Sequence, residues 1–440
     1  MLRITGATLP DGTRADLAIE DGRFVEPADA PRRARTIDAA GLIALPGLVD
    51  LHTHLREPGF EQSETVLTGT QAAAAGGYTA VFAMANTQPV QDTAGAVEQV
   101  QALGLRAGYA TVRPIGAVTV GLKGERLAEI GAMAASRAQV RVFSDDGMCV
   151  SDPLLMRRAL EYVTTFGGVV AQHAQDPRLT AGAQMNEGEV SARLGLAGWP
   201  AVAEESIIAR DVLLAEHVGA RLHVCHVSTA GAVEVIRWAK ARGIRVTAEA
   251  TPHHLLLTEA EAAGYDARFK VNPPLRRSED VEALRAGLAD GTIDIVATDH
   301  APHPAEAKEC AWAEAANGMV GLESALSVVH AAMVDGGLLD WGGVARVMSR
   351  TPARIGGLRG YGAAFEPGAP AHLALYDPAA SREFGLGDLR GRSANSPYLG
   401  RTLPGRIVHV FHRGVPTVAD GALRPADEVA AARRLEEVPA

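Results

Sequence analysis

The stretch Pro46-Gly47-Leu48-Val49-Asp50-Leu51-His52-Thr53-His54-Leu55-Arg56-Glu57-Pro58-Gly59 begins apolar and ends polar. It predicts a buried strand over 45–51 that runs out into a loop. Side chains two apart on a strand share a face, so His52 and His54 converge on one point at the strand's end. Two histidines placed like this are half of a metal site. Arg56 follows at once, before a Pro-Gly turn.

Seven further apolar runs of strand length follow, at 79–84, 111–116, 140–144, 169–172, 221–225, 246–250 and 293–298. Ala-rich amphipathic stretches such as 205–216, 230–242 and 280–289 lie between them, with Ser278 as the expected N-cap of the last. Eight strands alternating with helices predict an α/β fold, a (β/α)8 barrel. Residues 322–355 read as helices that close it, and 301–319 as a loop over the site.

The two ends of the chain have another texture. Up to about residue 45, apolar pieces at 17–19 and 24–25 alternate with the turn signals Asp11-Gly12 and Asp21-Gly22. The same texture returns at 371–376, 405–411, Gly414 and Asp420-Gly421. The N-terminal part is too small to fold alone. Both ends are therefore expected to build one small β domain, 1–45 with 361–440, around a barrel at 46–360.

A chain of 440 residues suits one large barrel plus a satellite. Its 47% hydrophobic and 21% charged content is that of a soluble globular protein. A net charge of -10 argues against nucleic-acid and anionic membrane partners. Cys149, Cys225 and Cys310 form no CxxC pair, and no signal-peptide or bilayer-spanning run is visible, so a cytoplasmic protein is expected.

In a barrel of this kind the loops after the strands carry the site. Strand one is followed by His52 and His54, strand four by Asp145 and Asp146, and strand five by His173. Strand six is followed by His226 and strand eight by Asp299 and His300. The chain has only 14 histidines, so their gathering at these ends exceeds chance. Four histidines with carboxylates suit zinc or a similar divalent ion. His223, three before His226, is expected to point the other way as a packing residue. His253 and His254 are read as loop residues beside the site. Gly76-Gly77 is a helix-to-strand turn and not a phosphate loop.

The set PGLVDLHTHLREPG (46–59), AMANTQP (83–89), FSDDG (143–147), HVCHVST (223–229), TPHHLLL (251–257), KVNPPLR (270–276), ATDHAPH (297–303) and GLE (321–323) resembles the dihydroorotases. It looks like their long bacterial form, within the amidohydrolase superfamily, and the likeness covers nearly the whole chain. The resemblance implies a distorted TIM barrel with a small β-sandwich built from both termini. It implies one or two zinc ions per subunit, with His52 and His54 on one ion and His173 and His226 on the other. Asp299 would bind the first ion and act as acid and base. Many relatives bridge the ions with a carboxylated lysine after strand four. Here that position reads Ser144-Asp145-Asp146-Gly147, and the nearest lysine in sequence, Lys123, belongs to the loop after strand three. The lysine-free subgroup implies Asp146 as the bridge, with Asp145 the alternative. Arg56, Asn86, Asn272 and His303 would hold the substrate; the bland reading of Arg56 is a surface ion pair with Glu57 or Glu61.

Two departures from the family pattern stand out. Met84-Ala85-Asn86 lacks the usual proline before asparagine, and Gln172-His173-Ala174-Gln175 replaces a common Ala-His-Cys-Glu, which puts the support of His173 in question. The implied reaction is the reversible hydrolysis of (S)-dihydroorotate to N-carbamoyl-L-aspartate, in pyrimidine (UMP) biosynthesis. The competing activities are those of other cyclic amidases, namely dihydropyrimidinase, hydantoinase and allantoinase. These usually carry the bridging lysine and lack the motifs at 56–59 and 272–276. An inactive subunit that scaffolds aspartate carbamoyltransferase is the rival of another class, but it would have lost ligands that this chain keeps. A small-molecule substrate is expected; a homodimer, and assembly with aspartate carbamoyltransferase, stay open.

Overall fold

The computed structural model describes residues 1–31 and 33–436, with no side chains beyond residue 432; Arg32 and 437–440, which belong to the expected terminal segments, lie outside the described residues. Eight parallel strands form the barrel: Leu48–Thr53, Tyr78–Ala83, Thr111–Pro114, Val142–Phe143, Val169–Gln172, Leu222–Val224, Val246–Ala250 and Ile295–Val296. They pair as a three-stranded and a five-stranded sheet. Parallel bridges Gly116↔Phe143 and Thr53↔His300 join the two sheets and close the ring. One apolar cluster takes alternate positions from many of the strands, among them Val49, Leu51, Phe82, Val142, Ala171 and Ile295. That alternation is the mark of the barrel interior. The other phase, including Leu48, Val81, Val112, Val170 and Val224, packs against the helices.

The expected strand at 45–51 is two elements. Ile43–Pro46 pairs antiparallel with Leu373 to Tyr376 of a terminal strand, and the barrel begins only at Leu48. Gly47 stands at the break, where only glycine fits because a β-carbon would collide with the Thr79 side chain. The terminal sheet has nine strands. Leu2–Thr8, Arg14–Glu20, Arg23–Val25, Arg35–Asp38 and Ile43–Pro46 come from one end, and Leu373–Glu383, Thr402–His412, Val415–Ala419 and Ala422–Leu423 from the other. The chain thus has the fold expected, a (β/α)8 barrel with a small β-sandwich from both termini. Asp21 (φ 47°) and Gly22 (φ 75°) give the left-handed pair that a tight hairpin needs.

The three quoted helices form as Val202–Val218, Ala230–Ala241 and Ser278–Asp290. Ser278 is the first helical residue and not the cap; Arg277 occupies the cap position, and Asp280 accepts its backbone N–H at 3.3 Å. Asp280 also accepts from Ala230 N at 3.0 Å, so one buried carboxylate serves two helix starts. The helical stretch before residue 356 is broken, with π turns at His330–Val334 and Arg346–Arg350. Among the described residues, no helix is long and apolar enough to cross a membrane.

Candidate metal centre

Strand one slips register between Asp50 and Thr53. The slip moves His52 and His54 onto the inward face that Val49 and Leu51 hold below them. Asp50 stabilises this end by accepting from His52 N at 3.0 Å and Thr298 N at 3.1 Å, which ties the first strand to the last. His52 Nδ1 donates to Glu249 Oε1 at 2.6 Å, and His54 Nδ1 donates to Asn86 Oδ1 at 2.9 Å. Each ring thereby turns its Nε2 toward the barrel axis.

Asp146 lies between two histidine pairs. Its Oδ2 is 3.3 Å from Nε2 of both His52 and His54, and its Oδ1 is 3.3 Å from His173 Nδ1 and from His226 Nε2. Asp299 Oδ1 stands 3.0 Å from His54 Nε2 and 3.4 Å from His52 Nε2. Asp145, its sequence neighbour, faces away. It accepts from Val118 N at 2.8 Å, from Thr119 N at 2.9 Å and from the Thr119 hydroxyl. The two aspartates that strand periodicity leaves undivided thus have separate surroundings. Lys123 is exposed.

The donor atoms can be tested against a metal. A tetrahedral ion with bonds of about 2.0–2.1 Å needs ligand atoms about 3.3–3.4 Å apart. His52, His54, Asp146 and Asp299 offer separations of 3.0, 3.3, 3.3 and 3.4 Å. His52 Nε2 is buried without a hydrogen-bond partner among the described residues, an arrangement that costs free energy unless something fills it. Asp146, His173 and His226 make a second group within the same reach. The residues fit a divalent ion at each position.

Charge at the site is tightly opposed. Burial favours the neutral Asp146 carboxyl, but the charge on His52 and hydrogen bonds from His173 and His226 hold it well below the usual range. Burial likewise works against the Asp299 anion, and His52 and His54 overcome it, leaving a pKa of about 2. Burial lowers Arg56 to about 10 against the pull of Asp299 and Asp146, so it stays cationic at neutral pH.

Arg56 pairs with neither Glu57 nor Glu61. Glu57 accepts from Val66 N, and Glu61 from Gly59 N. Arg56 Nε donates to Pro302 O at 3.2 Å, and its Nη2 lies 3.5 Å from His303 Nε2. His303 Nε2 donates to Asn317 O at 2.8 Å, and burial with the Arg56 charge pushes its pKa down to about 3. The imidazole is therefore neutral. Arg56, His226 and Asp299 have φ of 60°, 29° and 47°. Left-handed backbone at such residues is costly and gathers where geometry is functional.

The expectation for His223 needs correcting. It was assigned to packing because a strand through residue 226 would turn it away, but the strand ends at Val224 and His226 is left-handed. His223 points inward and its Nε2 donates to Glu249 Oε2 at 2.9 Å. Glu249 also accepts from His226 N at 3.1 Å, so one buried carboxylate supports His52, His223 and the turn at His226. A lone glutamate in the run Val246-Thr247-Ala248-Glu249-Ala250 was the available signal. His254 is buried, hydrogen-bonded to Thr251 Oγ1 and Pro273 O, while His253 Nε2 is buried without a partner. Gln175, one of the two departures, contacts His173 Nε2 at 2.6 Å.

A family profile described as dihydro-orotase-like matches residues 41–232. A dihydroorotase from Leifsonia xyli is 75% identical over 422 residues, covering 96% of this chain and 96% of that one. A dihydroorotase from Streptomyces coelicolor is 64% identical over 96% of this chain and 99% of its own length. Among solved structures, the L-hydantoinase (dihydropyrimidinase) from Arthrobacter aurescens superposes with a TM-score of 0.85 at 26% identity, over 96% of this chain and 97% of that one. The chain belongs to the dihydroorotase family of the amidohydrolase superfamily.

Proposed function

We infer that the barrel mouth interconverts dihydroorotate and N-carbamoyl-aspartate, with a metal centre held by His52, His54, Asp146, His173, His226 and Asp299. The observation that carries this reading is the Asp146 carboxylate shared between two histidine pairs, within reach of the Arg56 charge. The set of four imidazoles with carboxylates supports zinc as the ion. Zinc bound there supplies an acidified water and a polarised ring carbonyl.

The chain's own residues do the rest. Asp299 takes the proton of the attacking water and delivers it to the ring nitrogen as the C–N bond breaks. Ring closure uses the same groups in reverse. Arg56, with both terminal nitrogens unclaimed by a carboxylate of the protein, grips the substrate carboxylate. His303 beside it is neutral and does not compete for that anion. Asn86 and Asn272 complete the hold on the ring, and Asn86 also orients His54.

Arg56→Ala tests the reading through substrate choice. Loss of a charged hydrogen-bonding pair, about 1.5–3 kcal/mol, should raise KM roughly ten- to hundredfold in both directions. The wild-type protein should use dihydroorotate and leave dihydrouracil and hydantoin, which lack the carboxylate, nearly untouched. Equal turnover of the three substrates would remove Arg56 from this role.

A further inference from the structure

His173 and Asn272 meet at one side chain. Gln175 Oε1 lies 2.6 Å from His173 Nε2 and 3.1 Å from Asn272 Nδ2. On its other side Gln175 Nε2 donates to Thr180 Oγ1 at 2.8 Å. The Thr180 hydroxyl in turn donates to Asp176 O at 2.9 Å. A backbone carbonyl can only accept, so the direction of the whole chain follows from Asp176. The threonine hydroxyl spends its proton there and offers a lone pair to the amide N–H2. The amide oxygen must then face His173 and Asn272, and both must donate to it.

Two consequences follow at the site. The His173 proton sits on Nε2, which leaves the Nδ1 lone pair facing Asp146 Oδ1 at 3.3 Å, as an ion there requires. Asn272 spends its N–H on Gln175, so its buried Oδ1 has no partner among the described residues and is left as an acceptor. An acceptor in that place takes an N–H of the substrate and not a carbonyl.

We propose that Thr180 and Gln175 are positioning residues that set the tautomer of His173 and the polarity of Asn272, so that a metal ligand and a substrate N–H acceptor are fixed by one hydrogen-bond chain. The inference rests on the reading above, that His173 holds an ion and Asn272 touches the substrate. Neither Thr180 nor Gln175 touches the reacting atoms. If the amide turned over, its N–H2 would demand the His173 Nε2 lone pair and drive the proton onto Nδ1. A glutamate at 175 has no wrong orientation, since both its oxygens accept. Glutamine works at this position only because Thr180 holds it.

The test is a double-mutant cycle on zinc-loaded enzyme, read by chelator competition and by KM for carbamoyl aspartate. Thr180→Val should weaken binding of one zinc about 10- to 100-fold, the range seen when a hydrogen-bond partner of a metal ligand is lost. It should raise KM as well, and Thr180→Ser should restore both. In a Gln175→Glu background the same Thr180→Val change should leave zinc affinity and KM unaltered. A persisting penalty in that background would overturn the proposal, as would a Thr180→Val protein that is thermally weaker but unchanged in zinc affinity and KM. His173→Asn separates the underlying reading. If it binds as much zinc as wild type, then His173 holds no ion and the reading on which this proposal rests fails.

Discussion

Asp299→Ala is expected to abolish measurable turnover in both directions while the protein stays folded. On the proposed reading Asp299 carries two duties. As acid and base it would account for about 10²–10⁴ in rate, and its Oδ1 also belongs to the first group of donor atoms, 3.0 Å from His54 Nε2. The fold should survive because the carboxylate takes no part in closing the barrel. That is done by the backbone bridge Thr53↔His300 and by Asp50 on Thr298 N. Removing one of several buried anions leaves Asp146 and Glu249 to balance His52. Circular dichroism and a melting curve near wild type, with no dihydroorotate formed, is the expected result. Activity retained within tenfold would take the proton transfer away from Asp299.

Asp146→Ala and Asp145→Ala should part company although the residues are adjacent. Among the described residues, Asp146 is the single carboxylate within 3.3 Å of all four histidines. Its loss should remove zinc from both positions, and activity with it. Asp145 serves Val118 N, Thr119 N and the Thr119 hydroxyl in a buried turn. Its loss leaves donors unpaired at about 1–3 kcal/mol each, so that protein should melt lower yet still bind zinc. Metal analysis on the two variants checks this, and zinc retained by the Asp146 variant would contradict the bridge.

Much of the barrel was readable because each strand is a short apolar run and the polar residues stand where the runs end. His52, His54, His173 and His226 fall within one cluster with Asp146 and Asp299 for that reason, while Asp145 turns away. The misplacement of His223 comes from a change of backbone phase at a strand's end. Strand one slips before His52, strand six stops two residues before His226, and each shift turns side chains to another face. His223 was misread through this, and Glu249, the lone charged residue of the run 246–250, was passed over because its role shows only once its partners are placed. The boundary at Gly47 was hidden too, since the apolar run passes unbroken from the terminal sheet into the barrel. Gln175 was visible as a departure, but its meaning needed the positions of Thr180 and Asn272.

The most direct test of the metal centre is activity measured through removal and return of the ion. Wild-type protein dialysed against a strong chelator should lose conversion of carbamoyl aspartate to dihydroorotate, and stoichiometric zinc should restore it. Full activity in protein shown to be free of metal would contradict the account.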